Sequence, residues 1–127
     1  MPNIMLVEDS RTEASAMRRG LESLSYEVLW AASGDQALLL ASEAQPDLIL
    51  MDIVMPGLNG FQATRQLKRR ADTQHIPIII VSSKCQEIDI VLGQRQGAAN
   101  YLVKPIELSE LHTAIRIELG IDQASAG

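Results

Sequence analysis

Apolar residues in this chain fall into short unbroken runs, separated by longer stretches in which they recur at helical spacing. Ile4-Met5-Leu6-Val7, Leu48 to Met51, Ile76 to Val81 and Tyr101-Leu102-Val103 are such runs. Their length and aliphatic, often β-branched content predict strands buried on both faces. Tyr26-Glu27-Val28-Leu29-Trp30 places a charge among apolar residues and predicts an edge strand. Between the runs, Ala14, Met17, Leu21 and Leu24 share one side of a helix, as do Leu108, Leu111, Ile115 and Leu119. Ile88, Val91 and Leu92 make a shorter version.

The punctuation agrees with this division. Ser10 with Glu13, and Ser33 with Gln36, have the spacing of a capping box. In that motif the N-cap hydroxyl and the side chain three residues on satisfy each other's backbone N–H. Pro46 and Gly97 follow the second and fourth helical stretches, where breakers belong. The element order is (βα) five times. Strands separated by helices of this length predict an α/β fold with a doubly wound, five-stranded parallel sheet, right-handed crossovers and helices on both faces. The 127 residues suffice for one domain, expected over 1–121 with a loose tail over 122–127, and no stretch remains for an output domain.

Charge and cysteine content narrow the partners. A net charge of −5 argues against nucleic acid or an anionic membrane, both of which need a basic face. Arg18-Arg19 and Lys68-Arg69-Arg70 read as solvated helix faces. The single cysteine, Cys85, forms no internal disulfide. No run has signal-peptide form or membrane-spanning length, so a cytoplasmic protein is expected. His75 and His112 have no metal-ligand spacing and read as a loop residue and a helix-face residue.

The ends of the strands carry the chemistry. In a doubly wound sheet, function lies at the carboxyl ends of the strands. The first strand ends in Glu8-Asp9, the third in Asp52, the fourth in Ser82-Ser83 and the fifth in Lys104-Pro105. Each has an ordinary reading alone: Asp9 as a cap or turn acid, Lys104 as a surface lysine, the serines as turn residues, Tyr101 as sheet packing. Together they place three carboxylates, a hydroxyl and an ammonium on one edge. Converging carboxylates repel, and a hard divalent cation such as Mg²⁺ offsets that best, because it takes oxygen ligands and keeps several waters. Asp9 and Asp52 are candidate direct ligands, Glu8 a further one, and the backbone carbonyl of Val54 completes the set. A metal alone would not call for Lys104 and Ser82, whereas a phosphoryl group would. Asp52 can attack phosphorus to give an aspartyl phosphate. Mg²⁺ and Lys104 would neutralise charge on the transferring oxygens, and Ser82 would donate a hydrogen bond to one of them.

These residues resemble the receiver domains of two-component response regulators, the CheY-like proteins, over about Asn3 to Leu119. The family's acidic pair is matched by Glu8-Asp9. Its phosphoacceptor and the D-x-x-M-P-x-x-x-G pattern are matched by Asp52, Met55, Pro56 and Gly60. Its hydroxyl residue is matched by Ser82, its Lys-Pro by Lys104-Pro105 and its switch aromatic by Tyr101. The strand order 2-1-3-4-5, flavodoxin- and CheY-like, is taken from the family and is not an independent expectation. Glu8 stands where Asp is commoner, Ser82 where Thr is, and Ser83 where Ala or Gly is. Val54, Ser83 and Lys84 flank the site, and an apolar Val54 is expected not to orient a hydrolytic water.

The resemblance implies a phosphoacceptor that assists its own Mg²⁺-dependent phosphorylation and dephosphorylation, and is not an enzyme acting on other substrates. The phosphodonor would be a histidine kinase of the CheA type or a histidine phosphotransfer domain. Ser82 would move toward the phosphoryl group and Tyr101 would swing inward, reshaping the face of the fourth helix, fifth strand and fifth helix for a downstream protein. A monomer or weak dimer and a cis Lys104-Pro105 bond are expected. DIVMPGLNGFQATRQL and GQRQGAANYLVKP are most similar to stand-alone regulators of type IV pilus twitching motility. A phosphate sink and a flagellar-type chemotaxis regulator are the alternatives within the family.

Rivals of other classes fit less well. A haloacid-dehalogenase-type phosphatase needs a second acid where Val54 stands, and normally a cap domain. A flavodoxin-like electron carrier needs a phosphate loop where Glu8-Asp9 would repel phosphate. A receiver-like interaction module with a dead site would not need the full set of chemical residues.

Overall fold

The computed structural model describes residues 1–121. The tail expected over 122–127 lies outside the described residues. The elements alternate as the apolar pattern predicts: β1 (Asn3–Val7), α1 (Arg11–Ser23), β2 (Glu27–Ala31), α2 (Gly34–Ala44), β3 (Leu48–Met51), α3 (Gly60–Arg69), β4 (Ile78–Ser82), α4 (Glu87–Arg95), β5 (Asn100–Val103) and α5 (Leu108–Leu119). The five strands are parallel in the order β2-β1-β3-β4-β5. β3 is central, and all four of its side chains are fully buried.

The sheet separates two apolar layers by strand alternation. Met5, Val7, Ile49, Met51, Ile78 and Ile80 face one way, against Ala37 and Ala41 of α2 and Ala63 and Leu67 of α3. Ile4, Leu6, Leu48, Leu50, Ile79 and Val81 face the other way, against Ala14 and Leu21 of α1 and Leu111, Ala114 and Ile115 of α5. Each fully buried aliphatic side chain contributes about 1.5–3 kcal/mol relative to exposure. β3, with neighbours on both faces and both edges, is therefore the most firmly held strand, and its C-terminal end is a rigid mount for Asp52.

Three local expectations need correction. β4 begins at Ile78, not Ile76: Pro77 has no N–H for the ladder, although its carbonyl accepts from Ile49 N at 3.0 Å. In α4, Ile88 and Leu92 are exposed, at 66% and 36%, and the buried residue is Gly93. A Cβ on Gly93 would meet Ile80 at 2.8 Å and the Tyr101 ring at 3.0 Å, so this helix approaches the sheet through its glycine.

Neither predicted capping box closes. Ser10 Oγ accepts from Glu13 N at 3.3 Å and Ser33 Oγ from Gln36 N at 3.1 Å, but the return bonds are absent. Gln36 accepts from Ala32 N instead, and Glu13 points to Lys104. A full box does form at α3, where Asn59 and Gln62 exchange bonds of 3.0 Å.

Candidate functional site

The parallel register brings the predicted residues to one edge. Past the end of β1, Glu8 N still donates to Ala31 O of β2, and Asp52 N donates to Val7 O, both at 3.0 Å. These rungs hold the first residues beyond β1 and β3 side by side. Glu8, Asp9 and Asp52 each present a carboxylate oxygen within 4.8 Å of the others. Glu8 and Asp52 are buried, with 5% and 8% of their surface exposed, while Asp9 faces solvent.

The loop after Asp52 is shaped by glycine. Gly60 N donates to Ile53 O at 3.0 Å, so the first turn of α3 closes directly onto the loop that carries the acid. Ile53 N donates to Asp52 Oδ1 at 2.9 Å. Gly57 takes a φ of 73°, the left-handed region. Val54 is 56% exposed beside the acid, and Ser83 and Lys84 are exposed across the site.

Lys104 is placed by Lys104 N donating to Ser82 O at 2.9 Å and by a cis Lys104-Pro105 bond, as the resemblance implied. Its ammonium reaches Glu8 Oε1 at 3.0 Å and Glu13 Oε1 at 2.9 Å, and stands 3.8 Å from Asp52 Oδ1. Ser82 is fully buried, and its Oγ accepts from Lys84 N at 3.2 Å. Tyr101 is half-buried, and its hydroxyl donates to Lys84 O at 2.7 Å, tying β5 to the β4–α4 loop.

The electrostatics follow from burial and crowding. Burial first, then the neighbouring Glu8 carboxylate, pushes Asp52 up to about 6, against the opposing pull of Lys104 and the Ile53 N–H. Burial alone would lower Lys104, but its bonds to Glu13 and Glu8 and the charge of Asp52 outweigh that and raise it. Burial raises Tyr101. The carboxylates of Glu8, Asp9 and Asp52, crowded within 4.8 Å of one another, form a hard oxygen donor set whose mutual repulsion a divalent cation would relieve. The residues therefore fit Mg²⁺, with Asp9 and Asp52 free of a bonded ammonium and Glu8 shared with Lys104.

Two contributors were not legible in the sequence. Glu13 looked like a capping residue and instead holds the lysine. Trp30 Nε1 donates to Glu8 O at 2.8 Å. Trp30 pairs with Leu6 in the sheet, two residues before Glu8, so its indole replaces the next ladder rung and fixes the Glu8-Asp9 peptide.

Comparison with known proteins identifies the family and the fold. Residues 4–116 match the family model of the response regulator receiver domain. The chain is 50% identical to Protein PilH of Pseudomonas aeruginosa over 94% of its own length and 98% of that protein's. It is 37% identical to the transcriptional regulatory protein AfsQ1 of Streptomyces coelicolor, of which it spans 52%. Among solved structures, a putative response regulator from Chloroflexus aurantiacus superposes with a TM-score of 0.90 at 28% identity, covering 94% of this chain and 98% of that one. The receiver domain of a sensor histidine kinase from Pseudomonas aeruginosa superposes at 0.88 with 32% identity and the same coverage, and it holds a magnesium ion in its active site cleft. The five-stranded sheet is thus of the CheY-like flavodoxin type, and the chain belongs to the response regulator receiver domain family.

Proposed function

We propose that Asp52 accepts a phosphoryl group from the phosphohistidine of a CheA-like kinase or a histidine phosphotransfer domain. The observation that carries this reading is the convergence of three carboxylates within 4.8 Å, with Lys104 poised 3.8 Å from Asp52. An Asp52 oxygen attacks phosphorus, the P–N bond breaks, and the imidazole nitrogen leaves with its electron pair. No general base is needed: with Asp52 pushed up only to about 6, the carboxylate is largely ionised at neutral pH. Asp9, Asp52 and Glu8, with the Val54 carbonyl, would hold Mg²⁺, which would supply positive charge to the transferring oxygens. Lys104 then moves from its acid partners to a phosphoryl oxygen, and Ser82 turns its hydroxyl to another. Tyr101, bonded to the Lys84 carbonyl, couples that rearrangement to the α4-β5-α5 face.

That face carries unpartnered apolar side chains, Ile88 at 66% and Ile117 at 59% exposed, which suit a downstream protein. The 50% identity to PilH over nearly the full length of both chains, and the resemblance of the stretches from Asp52 and toward Lys104, support a place in type IV pilus twitching motility, either as an output regulator or as a phosphate sink.

The test is intact mass after incubation with a small phosphodonor and Mg²⁺. One phosphoryl adduct is expected in the native protein and none in Asp52→Ala. No adduct in the native protein, or the same adduct in the variant, would sink the proposal. Trp30 offers a second readout. Because its indole bonds to Glu8 O, Mg²⁺ is expected to change its fluorescence saturably, and Asp9→Ala should abolish that change.

A further inference from the structure

Glu13 sits outside the acid triad, on the first turn of α1, and its expected task was to close a capping box. It leaves that task undone. Ser10 N is taken by Glu8 Oε2 at 3.1 Å, and Glu13 Oε1 accepts from Lys104 Nζ at 2.9 Å. The result is a closed ring: Glu13 N to Ser10 Oγ, Ser10 N to Glu8, Lys104 to Glu8, and Lys104 to Glu13. Within it, the ammonium has one partner inside the triad and one outside.

We propose that Glu13 is a positioning residue that draws the Lys104 ammonium off Asp52 and leaves the Asp52 carboxylate to a divalent cation, while Lys104 keeps its bond to Glu8. The inference rests on the Mg²⁺ site of the proposed function. An ammonium and a divalent cation compete for the same carboxylates, since both are satisfied by the same oxygens and repel each other. With Glu13 present, Lys104 stands 3.8 Å from Asp52, beyond hydrogen-bond range. Without Glu13, its remaining carboxylate neighbours are Glu8 and Asp52, and it settles between them. The Glu13 side chain is 56% exposed, and Gln is nearly isosteric with it, so Glu13→Gln removes the charge and leaves the packing almost unchanged. Its carboxylate need not touch the cation, because it acts through the lysine.

The experiment is a double-mutant cycle on Mg²⁺ affinity, read by calorimetry and by Trp30 fluorescence, with no phosphodonor present. Glu13→Gln in the native background is expected to weaken Mg²⁺ binding about three- to five-fold, the upper end of the range for a partly exposed ion pair. In Lys104→Met, where no ammonium competes, the same Glu13→Gln change should alter affinity by less than about two-fold. Equal losses in both backgrounds would mean that Glu13 acts only through its own field, and would overturn the proposal. So would unchanged affinity in Glu13→Gln. If the native protein bound no Mg²⁺ at all, the proposed metal site would fall together with this inference, whereas failure of the cycle alone leaves phosphorylation of Asp52 standing.

Discussion

Gly60→Ala is expected to destabilise the protein by about 3 kcal/mol or more. An added Cβ would lie 2.1 Å from Asp52 O, 2.7 Å from Ile53 Cα and 2.9 Å from Asp52 C. All three atoms are backbone, so no side chain can rotate away. Relief requires the first turn of α3 to back off from the β3–α3 loop, which breaks the 3.0 Å bond from Gly60 N to Ile53 O. Alanine would gain roughly 0.5–1 kcal/mol of helix propensity at this position, too little to offset the clash. Gly57→Ala is the control. There nothing lies within 4 Å of an added Cβ, and the strain comes from its φ of 73° alone, costing about 1–2 kcal/mol. Urea denaturation should show the Gly60 variant with much the lower midpoint and an unchanged slope. Equal midpoints would remove the case that Gly60 is where α3 locks the phosphoacceptor loop.

The order of elements, the doubly wound sheet and the residues at its mouth were legible because each leaves a local signal. Four fully buried side chains in β3 make an unbroken apolar run, and an acid that ends such a run is conspicuous. The departures came where a distant partner decides the outcome. Glu13 has the right spacing for a cap, but Lys104, 91 positions away, offers a charged donor that outbids a backbone N–H. Ile88 and Leu92 have helical spacing, yet the sheet meets α4 at Gly93, because Ile80 and Tyr101 leave no room there for a larger residue. Trp30 read as edge-strand packing, and only the β1–β2 register reveals that its N–H reaches Glu8 O. Local periodicity reports burial in general. It does not report which polar group across the sheet claims a side chain.

The same crowding that marks the site also weakens the metal-free fold, and this gives the second large effect. Asp52 is 8% exposed and pushed from the ordinary 3.8 up to about 6 by burial and by Glu8. Below about pH 4 the carboxyl is protonated in both folded and unfolded chains and contributes no penalty. Between about pH 4 and 6 the folded protein holds more protons than the unfolded one, so stability falls as pH rises. Above pH 6 the full penalty is present, about 2–3 kcal/mol for a shift of this size. Asp52→Asn removes the ionisable group and keeps an oxygen to accept from Ile53 N, now bonded at 2.9 Å. The variant is therefore expected to be more stable than the native protein by about 2–3 kcal/mol at pH 7 and by little below pH 4. Saturating Mg²⁺ should narrow the gap at pH 7, since a ligand that binds only the folded state adds stability as its concentration exceeds its dissociation constant. Denaturation of both proteins across this pH range, with chelator and with Mg²⁺, measures each quantity. A constant gap from pH 4 to 7 would mean that the substitution acts through packing and not through the charge of Asp52. A gap that follows the titration and closes with Mg²⁺ would mean that the acceptor is held in a site that is unfavourable for its own charge until a cation relieves it.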